Sequence, residues 1–149
     1  MIEEDRIMQD VYIHAERCAK EIYRNSSNSD ITYWLNAQYE LHQYILSVGY
    51  QKNLCFDKFN MAESNRRRVA AQIMEAGLAD KQSATKLEGL MAAHPDYITA
   101  KELERHYEKR FNQFKTLWAD LKDLFQMNIM NISVLKQDNN FNQYLKDKE

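Results

Sequence analysis

The chain has few of the residues that punctuate loops. Its 149 residues include 3 Gly and 1 Pro. Both mark turns and breaks, so their scarcity excludes an all-β protein built from many hairpins. Cysteine is also sparse. Cys18 and Cys55 form no paired framework and sit inside helical periodicities, which fits a reducing compartment better than a disulfide scaffold. No stretch approaches the roughly 18 apolar residues of a membrane-spanning helix. Met1 is followed by Glu3, Glu4 and Asp5 rather than by a basic region and an apolar run, so no signal peptide is expected. The expectation is a cytoplasmic protein with no membrane partner. Neither sign of charge prevails: 20 Lys and Arg stand against 22 Asp and Glu, a net charge of −2. Whole-protein attraction to nucleic acid is therefore absent, and any such binding must come from a local patch.

What the sequence does have is helix-compatible residues at coiled-coil spacing. Met8, Val11, Ala15, Cys18 and Ile22 alternate steps of three and four, predicting a first helix from about Ile2 to Arg24. The polar run Asn25 to Asp30 ends it. A longer helix follows from Asp30 or Ile31 to about Ala76. Its seam reads Ile31, Trp34, Gln38, Leu41, Ile45, Val48, Lys52, Cys55, Phe59, Ala62, Arg66, Val69 and Ile73. Gln38, Lys52 and Arg66 interrupt that seam every fourteen residues, as register-setting or solvated positions do. Gly49 is a place where the helix could bend, and Gly77 a plausible C-cap.

Asp80 could cap a short helix to about Ala93 that buries Ala84, Leu87 and Leu90, and His94-Pro95-Asp96 then breaks the chain. Thr99-Ala100-Lys101-Glu102 has capping-box spacing and is expected to open the last helix, from Ala100 to about Leu135. Tyr107, Phe111, Phe114, Leu117, Trp118, Leu121, Leu124, Phe125, Ile129 and Ile132 give that helix a face wider than one partner covers. Several neighbours are implied, in the same chain or in other copies. The expected fold is all-α: one helical domain over residues 1–149, an elongated hairpin or bundle with a long central helix and a strongly apolar C-terminal helix. Residues 137–149 are expected to form a polar, frayed tail. Oligomerisation is expected through Phe114, Leu117, Trp118, Leu121, Leu124, Phe125, Ile129 and Ile132.

Catalytic chemistry finds no footing in the spacing. A di-iron bundle needs Glu followed three residues later by His. Here His14 and Glu16, Glu40 and His42, and Glu104 and His106 are each two apart and point to different sides. Glu102 and His106 share a face, but one pair is not a site. Neither cysteine carries an activation signature, and no Gly-rich loop could cradle a phosphate. No enzyme, metal or cofactor is expected.

The sharpest local feature is Arg66-Arg67-Arg68. Between Lys52 and Lys86 seven cations face four anions, with Tyr50, Phe56 and Phe59 nearby. Such a patch can neutralise phosphates and stack unpaired bases, or can be a solvated face pairing with acidic helices. The expected nucleic-acid residues are Lys52, Lys58, Arg66, Arg67 and Arg68.

In the order of its features the chain resembles the UvsY-type recombination mediators of T4-like phages. The resemblance lies in Asp10-Val11-Tyr12-Ile13, in Trp34-Leu35-Asn36 at the start of the long helix, in Leu90 to Asp96, and in Met127-Asn128-Ile129-Met130-Asn131. It implies a ring-like homo-oligomer assembled near Leu124 to Leu135. Such a protein would bind single-stranded DNA and load a RecA-like recombinase onto DNA coated by a single-strand-binding protein. The family's long helix is lysine-rich soon after its tryptophan, whereas Gln38 to Tyr50 holds no Lys or Arg, so the basic role falls to Lys52 through Arg68. A protein-binding helical module, such as a phage-encoded inhibitor or adaptor, is the other reading of the same features.

Overall fold

A computed structural model describes residues 3–149, all in helices and short connections: α1 Glu3–Arg24, α2 Ile31–Ala79, α3 Ala84–Ala93 and α4 Pro95–Lys148. The expected first-helix start at Ile2 lies outside the described residues. By contacts the chain divides into two compact units. Unit 1 comprises Met1–Gln51 with Phe114–Glu149, and unit 2 comprises Lys52–Gln113. No described helix is long and apolar enough to cross a membrane.

Seven-residue lines of buried side chains organise all three long helices. They are Met8, Ala15 and Ile22 on α1, Trp34, Leu41, Val48, Cys55 and Ala62 on α2, and Ala100, Tyr107, Phe114, Leu121 and Asn128 on α4. This is the spacing that keeps one stripe of a helix against its neighbour. Half of the seam predicted for α2 is therefore the core line. The other half, Gln38, Lys52 and Arg66 included, is half-buried flank. The second row of burial falls instead at Ala37 and Gln51.

In unit 1, α1 carries Glu3, Glu4 and Asp5 in its first turn and Arg24 in its last, both favourable to the helix dipole. Asp30 Oδ1 accepts from Thr32 N at 2.9 Å and caps α2. Trp34 is fully buried, with Nε1 donating to the Asn28 carbonyl at 2.7 Å. The side chains of α1 meet both other helices: Tyr12 is edge-on to Phe114 at 5.6 Å, and Cys18 Sγ lies 3.8 Å from Glu40 Oε2. Along α2 and α4, His42 meets Phe125 at 6.3 Å, and Gly49 faces Trp118. Rising numbers on one helix meet falling numbers on the other, so the pair is antiparallel. Gly49 does not end α2, which continues to Ala79. A Cβ at Gly49 would sit 3.1 Å from Trp118 Nε1, so the missing side chain admits the indole.

In unit 2 the two long helices are again antiparallel. Phe56 packs on Phe111 at 5.1 Å, Lys58 Nζ lies 5.4 Å over the Tyr107 ring, and Arg66 pairs with Glu104. Gly77 is not the C-cap. Lys81, at φ 55°, takes the left-handed position, with Gln82 N donating to the Gly77 carbonyl and Lys81 N to the Leu78 carbonyl. That is a Schellman closure around a non-glycine residue. Gly77 instead makes room for Leu87, the buried anchor of α3. Ser83, rather than Asp80, caps α3, accepting from Lys86 N. Leu87 alone of the three apolar residues expected there is buried; Ala84 and Leu90 are exposed.

The last helix begins five residues before its expected start. Pro95 occupies the first helical position, where a missing N–H costs nothing. The His94 ring caps it, Nδ1 accepting from Asp96 N at 3.2 Å, while the His94 N–H closes α3 on the Met91 carbonyl. Thr99-Glu102 thus lies inside α4. The helix also runs past Leu135 to Lys148, with every residue of 136–148 exposed.

Candidate nucleic-acid interface

The five cations expected to hold nucleic acid all fall in unit 2, on α2. A helix turns about 100° per residue, so three adjacent arginines must leave in three directions. Arg66 turns toward α4 and binds the Glu104 carboxylate, with 23% and 15% of the two side chains exposed. That hydrogen bond raises the Arg66 pKa above its ordinary value, more than burial lowers it. Arg66 is therefore an interhelical cross-link and leaves the set of ligand-facing residues. Arg67 points outward. It pairs with Glu63 one turn back at 2.8 Å, but 70% of its side chain is exposed. Such a pair contributes about 0–1 kcal/mol and yields easily to a better anion. Arg68 is exposed and donates to the neutral Asn65 Oδ1 at 2.8 Å. Lys58 spends part of its charge on the Tyr107 ring, and Lys52 is half-buried at the flank.

Three cations on α4 join the same unit and were not among the expected residues. Lys101, Arg105 and Lys109 recur every four residues, so they share one face, and Arg105 and Lys109 are exposed. Their four-residue spacing is legible in the sequence, but they lie beyond the cation-rich stretch from Lys52 to Lys86. Tyr97, Ile98, Lys101, Glu102 and Arg105, with Ala92 of α3, line a shallow open groove of about 210 Å³. Lys101 Nζ lies 5.7 Å over the Tyr97 ring. Unit 2 as a whole carries 11 cations and 9 anions, a net of +2, whereas unit 1 carries 9 and 13, a net of −4.

The residues expected to drive oligomerisation are spent differently. Phe114, Leu117, Leu121 and Ile132 are buried in the chain's own core, and Trp118, Leu124 and Phe125 are half-buried there. Of that set only Ile129 is exposed, at 40%. The wide apolar face of α4 is met by α1 and α2 of the same chain. The thiol of Cys18 is pushed up to about 12 by burial and by the Glu40 carboxylate beside it, which is the reverse of activation.

No family model, no curated protein and no solved structure matches the chain.

Proposed function

We propose that this chain is a non-enzymatic helical protein that binds single-stranded DNA through unit 2, as a recombination mediator does when it helps to load a recombinase. The observation that carries the reading is the outward position of Arg67 and Arg68 in the unit with net positive charge. Lys52 and Lys58 on α2 and Lys101, Arg105 and Lys109 on α4 are further cations of the same unit. The mechanism is electrostatic: ammonium and guanidinium groups displace counterions from the backbone, with no base-specific contact required. Assembly of several copies would add weak sites through effective concentration.

The test is a fluorescence-anisotropy titration of labelled oligo-dT at low salt. Binding that weakens tenfold or more in Arg67→Ala/Arg68→Ala supports the reading. No binding, or binding unaltered in that variant, refutes it. A second reading, a protein-binding module with no nucleic-acid role, is favoured by Arg66 being spent on Glu104 and by large apolar side chains such as Met61 that are 72% exposed. Under it, oligo-dT leaves the anisotropy unchanged at every salt concentration.

A further inference from the structure

We propose that the outer face of α2 in unit 1 is a homodimer interface, on which a second copy of the chain packs antiparallel.

Leu35, Tyr39, Leu46 and Tyr50 are 44%, 70%, 58% and 66% exposed. At about 100° per residue they fall within about 60° of one another and opposite the buried line through Trp34, Leu41 and Val48. A helix with one face in the core and the other in water normally carries charge on the wet side. This one does not. In a chain that is 28% charged, Glu40 is the single charged side chain between Ile31 and Gln51, and it sits beside Cys18 of α1. The outer face therefore reads Leu35, Tyr39, Gln43, Leu46, Tyr50: apolar and aromatic, with an uncharged amide near its middle.

The order of these residues identifies the occupant. The steps along the stripe are four, seven and four, the same in either direction, and reversal exchanges leucine for tyrosine. Two copies related by a twofold axis between His42 and Gln43 place Leu35 against the other copy's Tyr50, and Tyr39 against its Leu46. Each large side chain then meets a smaller one, as interdigitating layers require. Each contact occurs twice, the signature of a self-complementary twofold patch. A parallel arrangement would set Tyr39 on Tyr39 and Tyr50 on Tyr50. Without charge on the face, pairing identical surfaces brings no like-charge repulsion. Each buried aromatic covers about 150–250 Å², so two stripes with their flanking atoms cover on the order of 1,000 Å², the lower bound of a specific interface. The dimer is accordingly reversible rather than permanent.

The stripe belongs to unit 1 and uses none of the cationic residues of unit 2, so a failed dimer test leaves the DNA reading standing. The experiment is mass determination by light scattering on the full chain at about 100 µM, a concentration that populates a dimer of micromolar affinity. Twice the 17.8 kDa chain mass is expected. Leu46→Glu should return the chain to one copy with its helical circular dichroism intact, since that side chain is already more than half exposed. Tyr39→Glu/Leu46→Lys should restore the dimer, because each new carboxylate meets the other copy's new ammonium. A mixture of Leu35→Cys and Tyr50→Cys chains should form a disulfide between the two kinds, while Leu35→Cys alone should not; the native thiols are buried. A single-copy mass for the wild type overturns the proposal. So does association that Leu46→Glu leaves intact, a self-crosslink by Leu35→Cys, or loss of association only in Phe141→Glu, which would move the interface to α4.

Discussion

Replacing Asn128 by leucine should stabilise the protein. Asn128 continues the α4 core line of Ala100, Tyr107, Phe114 and Leu121, and it is fully buried. Neither its Nδ2 nor its Oδ1 has a hydrogen-bond partner. Leaving a buried donor or acceptor unsatisfied costs about 1–3 kcal/mol. Leucine removes both groups and adds apolar burial with the same number of side-chain heavy atoms and the same branch point. The expected gain is about 2–4 kcal/mol, which for a chain of this size raises the melting temperature by about 10 °C. Asn128→Ala removes the same polar atoms but opens a cavity, so its gain should be smaller by about 2 kcal/mol. Asn128→Asp buries an unpaired charge and should be strongly destabilising. Chemical denaturation followed by helical circular dichroism measures all three. Equal or lower stability for Asn128→Leu would refute the reasoning and point to a buried partner such as an ordered water. A polar residue on a core line fixes register, so the leucine variant should also pack α4 against its neighbours with looser register.

Three further outcomes follow from the geometry. Arg66→Ala and Glu104→Ala should each destabilise by about 1–3 kcal/mol, and a double-mutant cycle should return a coupling above about 0.5 kcal/mol; additivity would show that the pair contributes nothing. Lys81→Gly should stabilise by about 1 kcal/mol in the same denaturation assay, because a left-handed backbone strains lysine and not glycine. The Cys18 thiol holds its proton in the folded chain to about pH 12, above its ordinary value of 9.0. Burial thus favours the neutral thiol, so its contribution is complete below pH 9 and is lost as pH rises from 9 toward 12. Cys18→Ala should have a shallower loss of stability across that window than the wild type, and parallel curves would contradict the assignment.

Much of the fold can be read from the sequence. The lines through Met8, Ala15 and Ile22 and through Trp34, Leu41 and Val48 are visible as heptads because a buried stripe leaves no room for charge. What periodicity does not reveal is which flank of a stripe meets a second neighbour. Gln38, Lys52 and Arg66 share the spacing of the core, and they are tolerated because they lie at its edge. The helix ends depart from the sequence expectation where tertiary contact overrides local preference. Gly77 suits a cap, but Leu87 fills the space that its missing side chain leaves, and the cap moves to Lys81. Thr99 and Glu102 have capping spacing, but the His94 ring and Pro95 start the helix one turn earlier. The candidate site was half legible. The outward course of Arg67 and Arg68 follows from their adjacency to Arg66, whereas the capture of Arg66 by Glu104 depends on a pairing 38 residues apart that no local pattern encodes.

The salt dependence of oligo-dT binding tests the DNA reading most directly. Each cation that neutralises a single-strand phosphate contributes about 0.7 to the slope of log K against log salt. Arg67→Ala/Arg68→Ala should therefore flatten the wild-type slope by about 1.4, while Arg66→Ala, already neutralised by Glu104, should leave it unchanged. An unchanged slope in the double variant, or an equal loss in Arg66→Ala, would contradict the assignment of the outward arginines of unit 2 as the DNA-binding surface.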